Sequence, residues 1–309
     1  MTDCSKDNTT KRRIRLMSFG EVLWDIIEGK PHIGGAPFNL AAHASRCGLE
    51  SYLATGVGAD ELGRKAVAEI DRLNVCRRYV KVDNKHPTGT VTVTLSVAGQ
   101  PSYVIHRDVA WDFISLSKGD LSRLPAENFS VICFGTLVQR ELRSRNSLLN
   151  VLAKLHEVPV FYDVNLRQDY YSGDIVREGL KRTTILKLND GEVRELSVLI
   201  FGRKMKNEDF VRKLQDEFLV KIVLVTMGVK GCLVAEGGRV KRLKGHVVKV
   251  ADTVGAGDAF SAAFLAGWLR GKSAIESAEM GNVLGAYVAS KNGAIPDYND
   301  KIRAKLEVR

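Results

Sequence analysis

Short, continuously apolar runs alternate with amphipathic ones along this chain, and that order constrains its fold more than any other feature. Ile14–Phe19, Ser51–Thr55, Val131–Phe134, Val160–Val164, Ile185–Leu188 and Ile222–Val225 are strand-like runs. Their central positions are apolar throughout, as in parallel strands covered on both faces; a half-exposed strand would alternate instead. Between them lie segments with helical spacing: Phe38–Cys47 (stopped by Gly48), Leu62–Leu73, Arg143–Leu155, Ile175–Lys181, Asp190–Leu196 and Glu208–Phe218. Such alternation predicts an α/β fold, three layers deep, with a mostly parallel central sheet. A chain of 309 residues suits one large domain of this kind, or one domain with an appendage.

One stretch breaks the pattern. From Thr88 to His106 the residues alternate with period two on either side of Ala98-Gly99-Gln100-Pro101, with no helix between the arms. That is a β-hairpin. Together with the short segment 25–33 it is expected to form a small β-sheet lid, so residues 14–309 read as one domain with lid segments 25–33 and 86–106 inserted. Residues 1–13 are polar, lack the apolar stretch of a secretory signal, and read as a disordered tail. No apolar run approaches the ~20 residues of a membrane span. These observations lead to the expectation of a cytoplasmic protein with no membrane partner.

The most informative local motif is Asp252-Thr253-Val254-Gly255-Ala256-Gly257-Asp258. It follows Val247–Val250, which reads as a strand end, and leads into the apolar helix start Ala259–Ala266. A Gly-Ala-Gly turn opening a helix aims unpaired N–H groups one way and adds the helix dipole, which makes an anion hole at Gly255, Ala256 and Gly257. The Asp258 carboxylate lies directly behind it. An anion hole beside a base suits transfer of a phosphoryl group to a hydroxyl. Taken alone, the same residues also make an ordinary turn and helix cap.

Other polar groups fall at strand ends, where α/β sheets place ligands. Gly34 and Gly35 permit close backbone approach ahead of Pro37 at a helix start, and Asn39 offers an amide donor and acceptor. Asp25 follows the first strand. Asp163, Asn165 and Arg167 end one strand; Asn189 and Glu192 follow the next; Thr226, Gly228 and Gly231 follow a third. A plain turn or helix cap explains any one of these, whereas their recurrence points to a shared crevice. Gly267–Ser273 imitates a P-loop but has three residues between its glycines and follows a helix, so it reads as a helix end. Gly56-Val57-Gly58-Ala59-Asp60 lacks dinucleotide spacing. The six histidines show no metal-ligand pattern. The five cysteines, odd in number and without a C-x-x-C, argue against a disulfide framework. The formal charge of +10 is scattered and not interleaved with aromatics, which favours a solvated surface with anionic small ligands over nucleic acid.

In this order, these markers resemble the ribokinase/PfkB family of carbohydrate kinases: Gly34-Gly35…Asn39, Gly56-x-Gly58-x-Asp60-x-x-Gly63, the hairpin, Asn189-x-x-Glu192, Thr226-x-Gly228-x-x-Gly231, Asp252–Asp258 and Gly293-Ala294-x-Pro296. The resemblance implies a ribokinase-like fold, dimers clasped through the lids, ATP as donor, Mg²⁺, and a monovalent cation such as K⁺. It implies Asp258 as base, with Asp25, Gly34, Gly35, Asn39, Arg107, Asp163, Asn165 and Arg167 around the sugar. Asn189, Thr226, Gly228, Gly231 and Asn282 would line the nucleotide site. Glu192 would associate with Mg²⁺; Asp252, Val254, Val288, Lys291 and Gly293 would surround the monovalent cation. A low pKa is expected for Asp258 at a helix N-terminus. The sugar-facing motifs are similar to fructokinases, and fructose is the expected acceptor; 2-keto-3-deoxygluconate, ribose and nucleosides are alternatives. One departure falls at Arg107-Asp108-Val109-Ala110-Trp111-Asp112, where Trp111 is unusual in a segment expected to border the sugar. A reading from another class is a non-catalytic sugar- or nucleotide-binding relative acting through protein contacts.

Overall fold

A nine-stranded sheet organises the computed structural model, which describes residues 13–95 and 101–307. In chain order the elements begin with β1 (Arg15–Phe19), β2 (Leu23–Ile27), β3 (Lys30–Gly34), α1 (Ala36–Arg46), β4 (Glu50–Gly58) and α2 (Glu61–Arg72). They continue with β5 (Cys76–Asp83), β6 (Gly89–Leu95), β7 (Pro101–Ile105), α3 (Lys118–Arg123), β8 (Val131–Gly135), α4 (Leu142–Lys154) and β9 (Val160–Asp163). Next come α5 (Gly173–Leu180), β10 (Ile185–Asn189), α6 (Asp190–Phe201), α7 (Asn207–Phe218), β11 (Ile222–Thr226), β12 (Cys232–Glu236) and β13 (Arg239–Leu243). The last are α8 (Ala256–Trp268), α9 (Ala274–Ala289) and α10 (Asp300–Lys305).

The strand order is β13-β12-β11-β10-β9-β8-β1-β4-β5. It is parallel from β5 to β11, and β12 and β13 close one edge antiparallel. The chain's direction across the sheet reverses at β1, which pairs with β4 on one side and β8 on the other. A crevice opens at such a switch point, beyond the carboxyl ends of the strands. Each central strand feeds both faces: Leu186, Leu188, Val223 and Val225 join one core, and Ile185, Ile222 and Leu224 the other. That two-sided burial is the physical reason for the continuous apolar runs. Helix α8 is buried all round from Ala259 to Gly267, and it packs against both α1 and α9.

A second sheet, in the order β3-β2-β6-β7, is the lid. β2 pairs antiparallel with β3 and parallel with β6, and β6 pairs antiparallel with β7. Residues 1–12, and the expected hairpin turn at 98–100, lie outside the described residues. One expectation fails: Val247–Val250 is not a strand. The sheet edge ends with β13 at Leu243, so these residues find no ladder, and Val247 is 89% exposed. Gly267–Ser273 is a helix junction, with Ser273 capping α9. The four described cysteines are buried and form no disulfide with one another. No described helix is long and apolar enough to cross a membrane.

Candidate active site

Gly255 opens α8 with φ of +77°, and a Cβ there would lie 2.5 Å from the Ala294 carbonyl oxygen. Both facts demand glycine. Of the N–H groups that follow, Ala256 donates to the Thr253 carbonyl at 3.3 Å, and those of Gly257 and Asp258, in the first turn, have no intrahelical partner. A Cβ on Gly257 would meet Lys187 Nζ at 3.1 Å, so the turn lies directly against that ammonium. Lys187 is buried and paired with Asp163 at 3.1 and 3.0 Å. Burial works against its charge, but Asp163, Glu192 and Asp258 outweigh that and raise its pKa. Ser261, one turn into α8, donates to Asp163 at 3.3 Å.

Asp258 accepts a 2.9 Å hydrogen bond from Asn39 Nδ2. Its pKa is not low, as the helix N-terminus alone would make it. Burial, with the Asp163 charge second, pushes it up to about 6, against the pull of Lys187, Asn39 and Arg167. Desolvation outweighs the dipole here.

On the acceptor side, Gly35 has φ of +110°, and a Cβ would strike the Glu21 carbonyl oxygen at 2.5 Å. Asn39 is buried, and its Oδ1 has no partner. Asp25, on β2 of the lid, lies against Gly34: a Cβ there would be 2.9 Å from its carboxylate. Burial raises the Asp25 pKa while His32 and Arg167 oppose. A small cavity is lined by Ser18, Glu21, Pro37, Thr136, Asp163 and Asn165. Glu21 was not singled out from the sequence. It is 3% exposed with an unpartnered Oε2, and burial pushes its pKa to about 7. Its signal, a carboxylate just beyond the first strand, was available. Arg107 stands apart, stacked on Tyr170 at 4.7 Å and 3.7 Å from Glu141. Trp111, the unusual residue of the 107–112 segment, belongs to the core. It is fully buried under the Arg140 guanidinium at 4.1 Å, and its indole blocks any Cβ on Gly89. Asp112 is bound up with Arg140 through two 2.7 Å contacts.

On the other side, Asn189 caps α6 by accepting from the Glu192 N–H at 2.9 Å. Glu192 answers with both oxygens, accepting from the N–H groups of Asn189 at 2.7 Å and Leu166 at 2.9 Å. Residues 226–231 connect antiparallel β11 and β12, the plain hairpin reading, with Gly228 and Gly231 at positive φ. The Thr226 hydroxyl donates to the Leu188 carbonyl at 3.4 Å. Gly245 packs on the Val229 carbonyl, and Asn282 reaches the Lys244 carbonyl at 3.4 Å, which brings these segments together. Val229, Val247, Val250 and Val254 are all exposed along this stretch, at 50% or more. The alternation that imitates a strand is thus an uncovered apolar rim.

Asp252 ties two loops, accepting from Val254 N at 3.0 Å and Gly293 N at 3.3 Å, while the Ala251 N–H donates to the Ala289 carbonyl at 2.9 Å. Ala289 and Gly293 therefore lie beside Asp252 and Val254, while the Val288 carbonyl accepts from the Lys291 N–H at 2.9 Å. Among the described residues, no group of three or more His, Cys, Asp or Glu could hold a metal.

A crevice at a switch point, with glycine-turn donors, a buried ammonium and a poised carboxylate, defines a small-molecule phosphotransferase. The pfkB family carbohydrate kinase profile matches residues 8–301. The uncharacterized sugar kinase PH1459 of Pyrococcus horikoshii is 30% identical over 299 residues, 90% of this chain and 91% of the relative. Its crystal structure in complex with ATP superposes with a TM-score of 0.80 at 28% identity, covering 94% of this chain and 99% of that one. The ATP-dependent 6-phosphofructokinase of Thermoanaerobacterium thermosaccharolyticum is 28% identical over 308 residues (94% and 92%), and the fructokinase of Escherichia coli 28% over 278 (86% and 88%). A fructokinase of Vibrio cholerae, at 24% identity and TM-score 0.81 over 95% of this chain and 99% of its own, shares the fold. The chain belongs to the pfkB family of carbohydrate kinases and is a sugar kinase.

Proposed function

We propose that this kinase transfers the γ-phosphoryl group of ATP to a hydroxyl of fructose. The observation that carries the reading is the Asn39–Asp258 hydrogen bond at the mouth of the Gly255–Gly257 turn, with Lys187 beneath. Asn39, Gly34, Gly35, Asp25, Asp163, Asn165 and Arg167 surround the acceptor. Asp258 takes the hydroxyl proton as the oxygen–phosphorus bond forms and the bond to the ADP oxygen breaks. A pKa of about 6 suits that task at neutral pH better than a strongly acidic carboxylate would. The turn's N–H groups and Lys187 stabilise charge on the transferring group. Asn189, Thr226, Gly228, Gly231 and Asn282, with the exposed valine rim, hold the nucleotide. Mg²⁺, associated with Glu192, would supply charge neutralisation on the phosphates when bound with the nucleotide. A monovalent cation such as K⁺ fits the loops at Asp252, Val254, Val288, Lys291 and Gly293. Exposed Ile27, Tyr103 and Val104 on the lid suit a dimer contact, which sedimentation would test.

A second reading, 2-keto-3-deoxygluconate, is favoured by Arg167. Its charge bears on Asp25, Glu21 and Asp258, while its own hydrogen bond goes to the Leu166 carbonyl, which leaves it able to meet a sugar carboxylate. ADP release measured over fructose, 2-keto-3-deoxygluconate, ribose and adenosine decides between them. Turnover of fructose alone supports the first reading, and turnover of the acid alone replaces it.

A further inference from the structure

Helix α1 carries Asn39, His43 and Arg46 at spacings of four and three, which places them on one stripe. Asn39 holds Asp258. One turn on, His43 is fully buried, with Nε2 2.9 Å from the Ala294 carbonyl oxygen and Nδ1 2.6 Å from the Tyr298 hydroxyl. A carbonyl only accepts, so Nε2 carries the proton and Nδ1 accepts from Tyr298. Burial lowers the His43 pKa to about 4, so this neutral tautomer persists at working pH. Arg46 then donates to the carbonyls of Ile295 and Pro296 and pairs with Asp297 at 2.8 Å. The whole segment 294–298 is thereby fastened to α1.

Ala294 is also what Gly255 rests on. Its carbonyl oxygen, the atom bonded by His43, lies 2.5 Å from where a Gly255 Cβ would be. One helix therefore fixes the carboxylate through Asn39 and the backing of the glycine turn through His43. We propose that His43 is a positioning residue for phosphoryl transfer: its Nε2–H holds Ala294 against Gly255, and so sets the turn in which the Ala256 N–H donates to Thr253 and those of Gly257 and Asp258 are left as donors. The inference rests on reading Gly255–Gly257 as the anion hole.

Two amide substitutions separate the two bonds. In His43→Gln the side-chain nitrogen reaches the Nε2 position and still donates to Ala294. In His43→Asn the oxygen occupies the Nδ1 position and still accepts from Tyr298, while Ala294 loses its donor. Steady-state kinetics on the sugar identified above would be paired with hydrogen exchange at the Ala256–Asp258 amides. His43→Asn is expected to lower kcat about 10-fold with the sugar KM unchanged, and to speed exchange at those amides about 10-fold. His43→Gln is expected to stay within about 2-fold of the wild type in both. A merely structural histidine would lower the melting temperature of both variants and leave kcat intact, which overturns the proposal. Wild-type exchange in His43→Asn overturns it as well, whatever the sugar proves to be. A wild-type protein inactive on every sugar tested would sink the acceptor reading instead, with the exchange data still deciding the role of His43.

Discussion

Two glycine turns in this chain lead into helices with an aspartate close behind, and they end in opposite states. Gly56-Val57-Gly58-Ala59-Asp60 precedes α2, and Gly255-Ala256-Gly257-Asp258 opens α8. Asp60 accepts from Gly63 N at 2.7 Å, Thr88 N at 2.7 Å and Thr88 Oγ1 at 2.6 Å, fastening α2 to the start of the lid strand β6. Burial opposes its charge, but those hydrogen bonds outweigh it and hold its pKa below the usual range. Asp258 has the Asn39 amide, a neighbouring carboxylate at Asp163, and a pKa raised to about 6. Composition does not separate the two turns. Burial, neighbouring charge and the supply of donors do: the less buried, saturated Asp60 serves as an anchor, and Asp258, buried beside the Asp163 charge with one amide donor, keeps its affinity for a proton.

Substituting each aspartate tests that contrast most severely. Asp258→Ala is expected to cost ~10²-fold or more in kcat while leaving the urea midpoint unchanged or higher. Asp60→Ala is expected to retain kcat within a few-fold and to lose about 1–2 kcal/mol of stability, because three donors in part-buried hydrogen bonds are left without their acceptor. If Asp258→Ala kept its activity, the division between anchor and base would collapse.

The glycines sharpen the same comparison at somewhat smaller effect. Gly255→Ala meets both a positive φ and the Ala294 oxygen at 2.5 Å, so the anion-hole turn must deform; a ~10-fold or greater fall in kcat is expected. Gly63→Ala would bring a Cβ within 2.0 Å of the Gly58 carbonyl oxygen, at the lid base. About 2–3 kcal/mol of stability is expected to go with it, read by thermal melting, with kcat at low temperature largely preserved.

The sequence made the sheet legible because strands buried on both faces leave no polar position to interrupt them, as Val223, Leu224 and Val225 show. The lid was legible from its alternation. The failure at Val247–Val250 has a plain cause: an exposed apolar rim shares the short-range pattern of a strand and differs only in lacking a neighbour to pair with. Asn39 and Asp258 were named from their motifs, but not the bond between them, which joins residues 219 apart. Lys187 and Glu21 were harder to see as site residues. One lies in the middle of an apolar strand; the other stands just beyond the first strand, a signal open to reading, but packing is what shows its missing partner. The pKa of Asp258 was misjudged for the same reason: the dipole can be read from position in a helix, and desolvation cannot.

The pH dependence of stability is the gentlest test, and its sign differs between the turns. The Asp258 carboxyl binds its proton more tightly in the folded protein, with a pKa of about 6 against a reference of 3.8. Its contribution is therefore most favourable at low pH and is lost as pH rises from about 4 to about 6. Asp60 is depressed when folded, so its contribution is present above the unfolded pKa and lost as pH falls through the folded value. Chemical denaturation at pH 4 and pH 7.5 should thus show wild type losing on the order of 2 kcal/mol relative to Asp258→Asn on going to the higher pH. Glu21, raised from 4.5 to about 7, acts in the same direction over a higher window, so Glu21→Gln should gain on wild type between pH 5 and 8. Asp60→Asn should instead be weaker than wild type at pH 7.5 and converge on it only in acid. Parallel curves for Asp258→Asn and Asp60→Asn would mean that both carboxylates sit in the same electrostatic environment, and the distinction drawn between them would be wrong.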